Sequence, residues 1–175
     1  MIKFCLFIYN KDMTIIVKNK ETLTFDDFTF KCCVGKNGTT NKKIEGDKKT
    51  PKGLFSLGNI YYRKDRNLKP ITKLKSIPIN KKMGWCNDIK NKKYNKLIKI
   101  NNNIKYEKMF RKDYKYDYII PINYNIKNTK IGKGSAIFIH LTKNYKGTAG
   151  CIALKKKDLI ILIKLINKKT KIKIL

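Results

Sequence analysis

Apolar and polar residues alternate in short runs along most of the chain, and this pattern predicts a mainly β structure. The first runs, Ile2 to Tyr9 and Thr14 to Lys18, predict two strands joined by a hairpin-like turn at "NKDM". A long polar segment punctuated by glycine, "GKNGTTNKKIEGDKKTPKG", predicts a loop. The further predicted strands are "FTFKCCVG", "LFSLG", "KLIKI", "YDYIIPI", "SAIFIHL" and the terminal "KIKIL".

One helix is predicted near the carboxyl end. In "DLIILIKLI" the apolar residues can form one buried face, and Asp158 can cap the helix or complement its dipole. The segment from Tyr61 to Asn95 has few periodic runs and is interpreted as an ordered excursion instead of a second domain. The sequence therefore predicts a single domain over residues 1–175, mainly β, with one or two packed helices.

The formal charge of +30 is the most unusual feature of the composition. Of the 42 basic residues only Arg63, Arg66 and Arg111 are arginine, and the lysines are spread from end to end. Nucleic-acid recognition favours arginine, because its planar guanidinium can donate two hydrogen bonds to one base or phosphate. We therefore expect no specific nucleic-acid partner, and a general attraction to anionic polymers or surfaces instead.

The cysteine and histidine content argues against structural cross-links. The five cysteines are odd in number, Cys32 and Cys33 are adjacent, and neither a Cys-x-x-Cys pair nor a second histidine is present. We expect no disulfide framework and no zinc site, and the sequence predicts no metal or cofactor.

Two observations concern the location of the protein. The apolar run near the start is only six residues long and no small-residue cleavage site follows it, so a signal peptide is not predicted. No segment approaches the ~20 apolar residues that a membrane-spanning helix requires, and no transmembrane segment is predicted.

Candidate chemistry centres on "HLTKNYKGTAGC", in which the single histidine, His140, precedes Cys151 by eleven residues. A nucleophilic thiolate needs an imidazole to take its proton, and Gly150 permits a tight turn that exposes backbone amides to an oxyanion. Strand alternation places His140 on one face with Phe138 and turns the intervening residue to the other face. By itself such a pair is more often a buried thiol and a structural histidine.

The order of several motifs supports the catalytic interpretation. "GSAIFIHL" followed by "GTAGCIAL" resembles the catalytic signature of the L,D-transpeptidase (YkuD-type) domain family. Upstream, "KIEGDKKTPKGLFSL", "GWCND", "YNKLI" and "YDYIIPINYN" resemble segments of one branch of that family, in the same order. The resemblance covers roughly Gly35 to Leu154 and implies a β-sandwich-like catalytic domain with the cysteine in a cleft.

The resemblance also implies a reaction. Members of the family cleave the bond between the third residue of a peptidoglycan stem peptide and the D-alanine that follows it. The cysteine forms a thioester, and an amine or water then takes the acyl group. For this chain the resemblance implies a Cys151 nucleophile, a His140 base, and oxyanion donors at the amides of Gly150 and Cys151. Thr148 and Ala149 are then expected to shape the wall of the cleft.

Two positions depart from the family pattern. Thr148 replaces a serine, and Ala153 stands where many members have an arginine near the substrate carboxylate. Carboxylate binding is therefore expected from Arg111, Arg63 or a lysine.

Several other polar and aromatic residues are candidates for the cleft. Tyr116 and Trp85 are expected to contact substrate. Glu45 and Asp47 are more simply interpreted as groups that fix turns or pair with lysines than as acid–base catalysts. The segment 143–147, between the base and the nucleophile, is a candidate lid.

The sequence favours a cysteine L,D-transpeptidase that acts on peptidoglycan stem peptides, as a monomer in the periplasm or cell envelope. The location rests on the family resemblance alone. Two alternatives stay open. One is an L,D-carboxypeptidase, or another cysteine peptidase or amidase, with water as the acceptor. The other is a basic protein that binds wall polymer or nucleic acid without turnover.

Overall fold

A computed structural model describes residues 13–100 and 103–175, and it confirms the predicted mainly β class. The strand expected over Ile2 to Tyr9 lies outside the described residues. The described strands form a curled ten-stranded sheet, a three-stranded sheet and a two-stranded sheet. One α-helix and one short 3-10 helix accompany them.

The elements lie as follows along the chain. The first eight strands are β1 (Thr14–Val17), β2 (Thr22–Phe25), β3 (Phe28–Cys33), β4 (Thr39–Thr40), β5 (Thr50–Pro51), β6 (Gly53–Ser56), β7 (Ile60–Tyr62) and β8 (Ser76–Pro78). The other strands are β9 (Met83–Cys86), β10 (Leu97–Lys99), β11 (Tyr106–Lys108), β12 (Tyr118–Pro121), β13 (Phe138–Leu141), β14 (Ile152–Leu154) and β15 (Lys171–Ile174). The 3-10 helix is Tyr114–Tyr116, and the α-helix, α1, is Lys156–Leu165.

The order of strands in the large sheet brings both ends of the described chain together. The order is β6-β15-β1-β2-β3-β14-β13-β12-β7-β8. The predicted terminal strand, β15, is confirmed, and it pairs in parallel with β1 and antiparallel with β6. Its isoleucines, Ile172 and Ile174, are buried while its lysines are exposed, because successive side chains point to opposite faces.

The parallel pair β13 and β14 lies near the centre of the large sheet, and in it Ile139 lies opposite Ile152. These two isoleucines point into the larger hydrophobic core, whereas Phe138 and Cys151 belong to a second core cluster. The predicted alternation, in which Phe138 and His140 share a face, is confirmed. All four residues of β13 are buried, because structure covers both faces of the strand.

The predicted helix is confirmed as α1, which follows β14 after a single residue. Leu159, Leu162 and Ile163 form its buried face and join the larger core beside Ile139. No side chain caps its N-terminus, and Asp158 lies in the first turn, where its charge complements the helix dipole. The helix therefore covers the face of the sheet opposite Cys151.

The segment from Tyr61 to Asn95 is ordered, as predicted, and contributes strands to two sheets. β7 and β8 form one edge of the large sheet, and β9 is the central strand of the order β10-β9-β11. Trp85 on β9 packs with Met109 and Phe138 in the second core cluster. The small sheet therefore backs the face of β13 that carries His140.

The polar segment between β3 and β6 differs from the predicted loop, because it contains β4 and β5. These strands pair in parallel, with Thr39 opposite Thr50, and the Thr50 side chain is fully buried. A further parallel bridge joins Gly35 to Thr148. The segment thus folds against the turn that precedes Cys151.

Candidate functional site

Cys151 and His140 line the same cavity, which has a volume of about 350 Å³. His140 lies opposite Ala153 in the β13–β14 register, and Cys151 precedes Ala153 by two residues. The two side chains therefore project from the same face of adjacent strands. Four other expected site residues also line the cavity, namely Tyr116, Arg111, Thr148 and Ala149.

Backbone groups before and within β13 hold the Cys151 thiol. Its Sγ accepts a hydrogen bond from the N–H of Phe138 at 3.3 Å and donates one to the carbonyl oxygen of Ala136 at 3.2 Å. Ala136 has a φ of 52°, an uncommon conformation for a residue with a Cβ. Burial raises the pKa of the Cys151 thiol to about 12, so the sulfur is protonated at neutral pH.

The His140 ring is oriented by its own backbone neighbour. Nδ1 lies 2.9 Å from the carbonyl oxygen of Leu141, and because a carbonyl can only accept, Nδ1 carries the hydrogen. Nε2 is then the basic nitrogen of the neutral ring. The Tyr116 ring packs edge-on against the imidazole, with 5.2 Å between ring centroids. Burial, with smaller effects of the Lys115 and Arg111 charges, lowers the pKa of His140 to about 4.

Both groups are therefore neutral near pH 7, and the resting site holds a thiol and an imidazole instead of an ion pair. Both hydrogen bonds of Cys151 Sγ go to backbone groups, so the thiol hydrogen must leave the Ala136 carbonyl before it can pass to His140. A neutral imidazole at pH 7 is in the correct state to act as a general base.

Thr148 organises the turn before Cys151. Its hydroxyl donates to the carbonyl oxygen of Cys151 at 2.6 Å and accepts from the N–H of Gly150 at 3.0 Å. The N–H of Gly150, one of the two expected oxyanion donors, is therefore hydrogen-bonded within the turn.

Gly150 serves instead as a point of close backbone approach. Its φ is 139°, in a region that residues with a side chain rarely adopt. A Cβ at this position would lie 2.9 Å from the carbonyl oxygen of Lys49. The turn can therefore lie against the 35–50 segment only if residue 150 has no side chain.

Both ends of the 35–50 segment, together with the preceding Val34, support the turn. The N–H of Lys36 donates to the carbonyl oxygen of Thr148 at 2.8 Å. The N–H of Thr148 donates to the carbonyl oxygen of Val34 at 2.9 Å. A Cβ on Gly147 would lie 2.7 Å from the Cα of Lys36. Two backbone hydrogen bonds and two close glycine contacts thus set the position of the turn.

The acidic residues of "EGD" act within this supporting segment. Asp47 pairs with the buried ammonium of Lys43 and accepts hydrogen bonds from the N–H groups of Ile44 and Lys49 at 3.0 and 2.8 Å. Glu45 accepts hydrogen bonds from Tyr94 and, at 2.7 Å, from Ser135. Asp47 thus fixes a turn and pairs with a lysine, whereas Glu45 links the segment to two residues that are distant in sequence.

Asn95, at the end of the segment from Tyr61 to Asn95, connects that segment to the loop before β13. Its Oδ1 accepts from Trp85 Nε1 at 2.9 Å and from the N–H of Ala136 at 3.0 Å. Its Nδ2 donates to the carbonyl oxygens of Tyr124 and Asn125 at 3.0 and 2.8 Å. All the hydrogen-bonding capacity of this buried side-chain amide is used, and its bond to the Ala136 N–H helps to position the residue whose carbonyl oxygen accepts from the Cys151 thiol.

Trp85, expected to contact substrate, lies outside the cavity lining. Its ring packs edge-on against Phe138, with 5.2 Å between centroids. Trp85 therefore lies behind the site, and its link to the chemistry runs through Asn95 and Ala136.

Arg111 is a fixed cation at the cavity. Its guanidinium lies 2.8 Å from Asp113, 3.2 Å from Glu107, and 4.9 Å from the centre of the Tyr116 ring. The hydrogen bond to Asp113 is the main reason that the pKa of Arg111 is raised above its ordinary value. The guanidinium is partly exposed, so a ligand can reach it.

Arg63, the alternative arginine, lies outside the cavity lining. It is buried, stacks over Phe110 at 3.6 Å and donates to the backbone carbonyl of Arg111. Arg66 donates to the same carbonyl at 2.6 Å. All three arginines of the chain therefore meet at one peptide group, and two of them position the third.

Several cavity residues were not assigned from the sequence. Glu107 and Lys115 line the cavity, and Asn95 binds the Ala136 N–H behind it. Asn95 lies within "YNKLI", one of the motifs that carry the family resemblance, and that was its only signal. Glu107 and Lys115 lie in none of the motifs that carry the resemblance, so no sequence signal pointed to them.

Hydrogen bonds and contacts between lysine and an aromatic ring hold the candidate lid, the 143–147 segment, in place. The Tyr145 N–H donates to Thr142 Oγ1 at 2.9 Å, and Cys33 Sγ donates to the carbonyl of Lys146 at 3.3 Å. Two lysine ammonium groups lie 5.1 and 5.6 Å from the centre of the Tyr145 ring. The 143–147 segment is therefore fixed in position and forms one wall of the cavity.

Within 13–100 and 103–175, no three His, Cys, Asp or Glu side chains are grouped to hold a metal ion. In the same part of the chain, no helix has the length and apolar character needed to cross a membrane.

Comparison with known proteins identifies one family. The L,D-transpeptidase catalytic domain family (YkuD) matches residues 6–174, which is nearly the whole chain. Neither the curated proteins nor the solved structures provide a match.

We expect Thr148→Val to destabilise the protein by about 1–3 kcal/mol, because two hydrogen bonds at the turn lose their partner. Thr148→Ser keeps the oxygen and is the matched control, with a stability close to that of the wild type. Urea unfolding at neutral pH measures the difference. A Val variant as stable as the Ser variant would contradict the role given to this hydroxyl.

Proposed function

Because the chain belongs to the L,D-transpeptidase catalytic domain family, we propose that it is a cysteine L,D-transpeptidase acting on peptidoglycan stem peptides. Family membership supports peptidoglycan as the substrate. The observation that carries the mechanism is the placement of Cys151 and His140 on one face of adjacent strands, lining one cavity. An envelope location is part of the proposal, since the family acts on the cell wall.

The first half-reaction acylates the cysteine. Cys151 Sγ turns from the Ala136 carbonyl, gives its proton to His140 Nε2, and attacks the carbonyl carbon of the third stem residue. The carbon–nitrogen bond to D-alanine then breaks, and the imidazolium returns the proton to the departing amine. The products are a thioester on Cys151, neutral His140 and free D-alanine.

The second half-reaction transfers the acyl group. An acceptor amine attacks the thioester carbon and the carbon–sulfur bond breaks. His140 removes the proton of the attacking amine, and the departing Cys151 sulfur takes up that proton. The hydrogen bond from His140 Nδ1 to the Leu141 carbonyl keeps Nε2 directed at the reacting atoms throughout.

The oxyanion of both tetrahedral intermediates needs backbone donors. The amide of Cys151 remains the proposed donor, whereas the amide of Gly150 is bound to Thr148. The Gly150 amide could join only if the Thr148 hydroxyl released it.

Arg111 is proposed to bind the substrate carboxylate in place of the arginine that is missing at position 153. Ala153 is buried and lines the cavity, so nothing at that position can provide a charge. Arg111 lines the same cavity and is held from behind by Arg63 and Arg66. Nε and Nη2 already donate to Asp113 and Nη1 to Glu107, so the substrate carboxylate is proposed to accept from the remaining N–H groups of Nη1 and Nη2.

We expect incubation with a carbapenem, which acylates many family cysteines, to add one covalent adduct to the protein, measured by intact mass. Cys151→Ala should abolish the adduct. Cys33→Ala is the matched control, because Cys33 is a buried thiol facing Ala153 from the neighbouring strand β3, and it should keep the adduct. An adduct that survives in Cys151→Ala would exclude Cys151 as the nucleophile.

The same proteins, supplied with a tetrapeptide stem and an acceptor amine, separate the alternatives. A cross-linked product supports the transpeptidase, whereas a tripeptide alone indicates hydrolysis by a carboxypeptidase. If no turnover occurs and Cys151→Ala leaves binding of wall polymer unchanged, the chain is a binding protein.

We expect kcat/KM to fall on the acid side with a midpoint near pH 4, well below the ordinary pKa of 6.5 for histidine. His140 must be neutral to accept the thiol proton, and its folded-state pKa is lowered, so the base is lost only below that value. The unfolded chain binds this proton already near pH 6.5, so stability also declines between pH 6.5 and 4. Circular dichroism across the range checks that the protein stays folded. An acid limb near pH 6.5 in folded protein would contradict this assignment.

We expect Arg111→Gln to reduce kcat/KM for a stem peptide by about 10- to 100-fold, mainly through KM, because a charge-assisted hydrogen bond is lost. Lys112→Gln removes the adjacent exposed charge outside the cavity and is the matched control. Steady-state kinetics with substrates that carry or lack the carboxylate provide the measurement. Equal losses for both substrates would show that Arg111 does not bind this group.

A further inference from the structure

A second surface lies away from the cavity, where the loop after β7 meets α1. Leu68 and Ile71 are 90% and 76% exposed, the highest values among the large apolar side chains of the described residues. Both line a shallow groove with residues of α1. We call this surface the α1 patch, which consists of Leu68, Lys69, Ile71, Lys156, Ile160 and Lys164.

Leu68 and Ile71 belong to neither core cluster, whereas Ile160 packs partly against the larger core. The buried face of α1 is already provided by Leu159, Leu162 and Ile163. Ile161 follows Ile160 and is 36% exposed on the outer side of the helix. An unsupported apolar side chain on a lysine-rich surface gains stability only if another apolar phase covers it.

The charge of the patch is positive because nearby carboxylates are paired or point elsewhere. Asp65 pairs with Arg63 at 2.6 Å, and Asp117 lies 3.5 Å from Arg66. Asp158 is two residues after Lys156, which places it about 200° around the helix on the opposite side. The lysines of the patch therefore stand next to its apolar side chains without neutralising partners in that surface.

We infer that the α1 patch docks the protein onto an anionic lipid bilayer. Lysine ammonium groups lie at the level of the anionic headgroups, and Leu68 and Ile71 enter the boundary of the acyl chains. A soluble anionic polymer would satisfy the lysines but would leave the leucine and isoleucine in water. The combination of charge with exposed apolar side chains therefore favours the bilayer.

The position of the patch suits this docking. α1 packs on the core formed by Ile139 and Ile152, whereas Cys151 and Phe138 lie on the other face of the same strands. The cavity is therefore not covered when the patch is on a membrane. The inference does not depend on the proposed enzymatic activity.

Vesicle co-sedimentation tests the inference directly. The full chain is mixed with vesicles of phosphatidylcholine containing about 30 mol% phosphatidylglycerol, and with vesicles of phosphatidylcholine alone. We expect binding to the first and little to the second, weakening as salt rises from about 50 to 500 mM. Leu68→Ser combined with Ile71→Ser should reduce binding to the anionic vesicles by about tenfold or more.

Matched variants separate the patch from the general charge. Ile44→Ser combined with Ile131→Ser removes two other exposed isoleucines, 57% and 56% exposed, and should leave vesicle binding unchanged. Lys69→Gln, Lys156→Gln and Lys164→Gln should each weaken it about fivefold, more than Lys90→Gln does. Binding to soluble heparin should not respond to the Leu68 and Ile71 changes.

Three results would overturn the inference. One is absence of binding to anionic vesicles at low salt. Another is unchanged binding of the Leu68 and Ile71 double variant, which would leave only scattered charge. The third is an equal loss in the Ile44 and Ile131 control. Circular dichroism of each variant confirms that the exposed substitutions leave the fold intact.

Discussion

The parallel pairing of β13 and β14 is the constraint on which the rest of the site depends. The register that sets His140 opposite Ala153 also brings Cys151 to the same face of the neighbouring strand. Core packing protects this register, because a shift of one residue would move Ile139 and Ile152 out of the larger core. The requirement that apolar side chains stay buried therefore also determines the positions of Cys151 and His140.

Burial has a chemical consequence as well as a structural one. The same packing that fixes the two strands removes water from the thiol and the imidazole, which raises one pKa and lowers the other. A charged pair is costly in such an environment, so the resting site is neutral. Charge is then expected to develop only as the substrate is attacked. The polar backbone groups of Ala136, Phe138 and Leu141 stabilise the resting orientation of both side chains.

The distribution of arginine shows where this lysine-rich chain needs planar donors. Its three arginines converge on the peptide of Arg111, with Arg63 and Arg66 donating to one carbonyl. A lysine carries the same charge, but its ammonium cannot donate two parallel hydrogen bonds in a plane. The arginine cluster places a rigid cation, Arg111, at the cavity, whereas Ala153 has no charge to offer there. The lysines elsewhere act as a general positive field, which the α1 patch combines with exposed apolar side chains.

Local pattern was sufficient for much of the fold, because alternation and helical periodicity depend on neighbouring residues. The strand "SAIFIHL", the side of His140, the helix after Asp158 and the terminal strand were all predictable from it. The family motifs then identified the cysteine and its base as candidates. Tertiary structure alone decided that Trp85 lies behind the site and that the Gly150 amide is occupied. The contacts of these two residues depend on which polar and apolar groups come within about 3 Å in the folded chain. The alternation of apolar and polar residues in the sequence does not specify those distances.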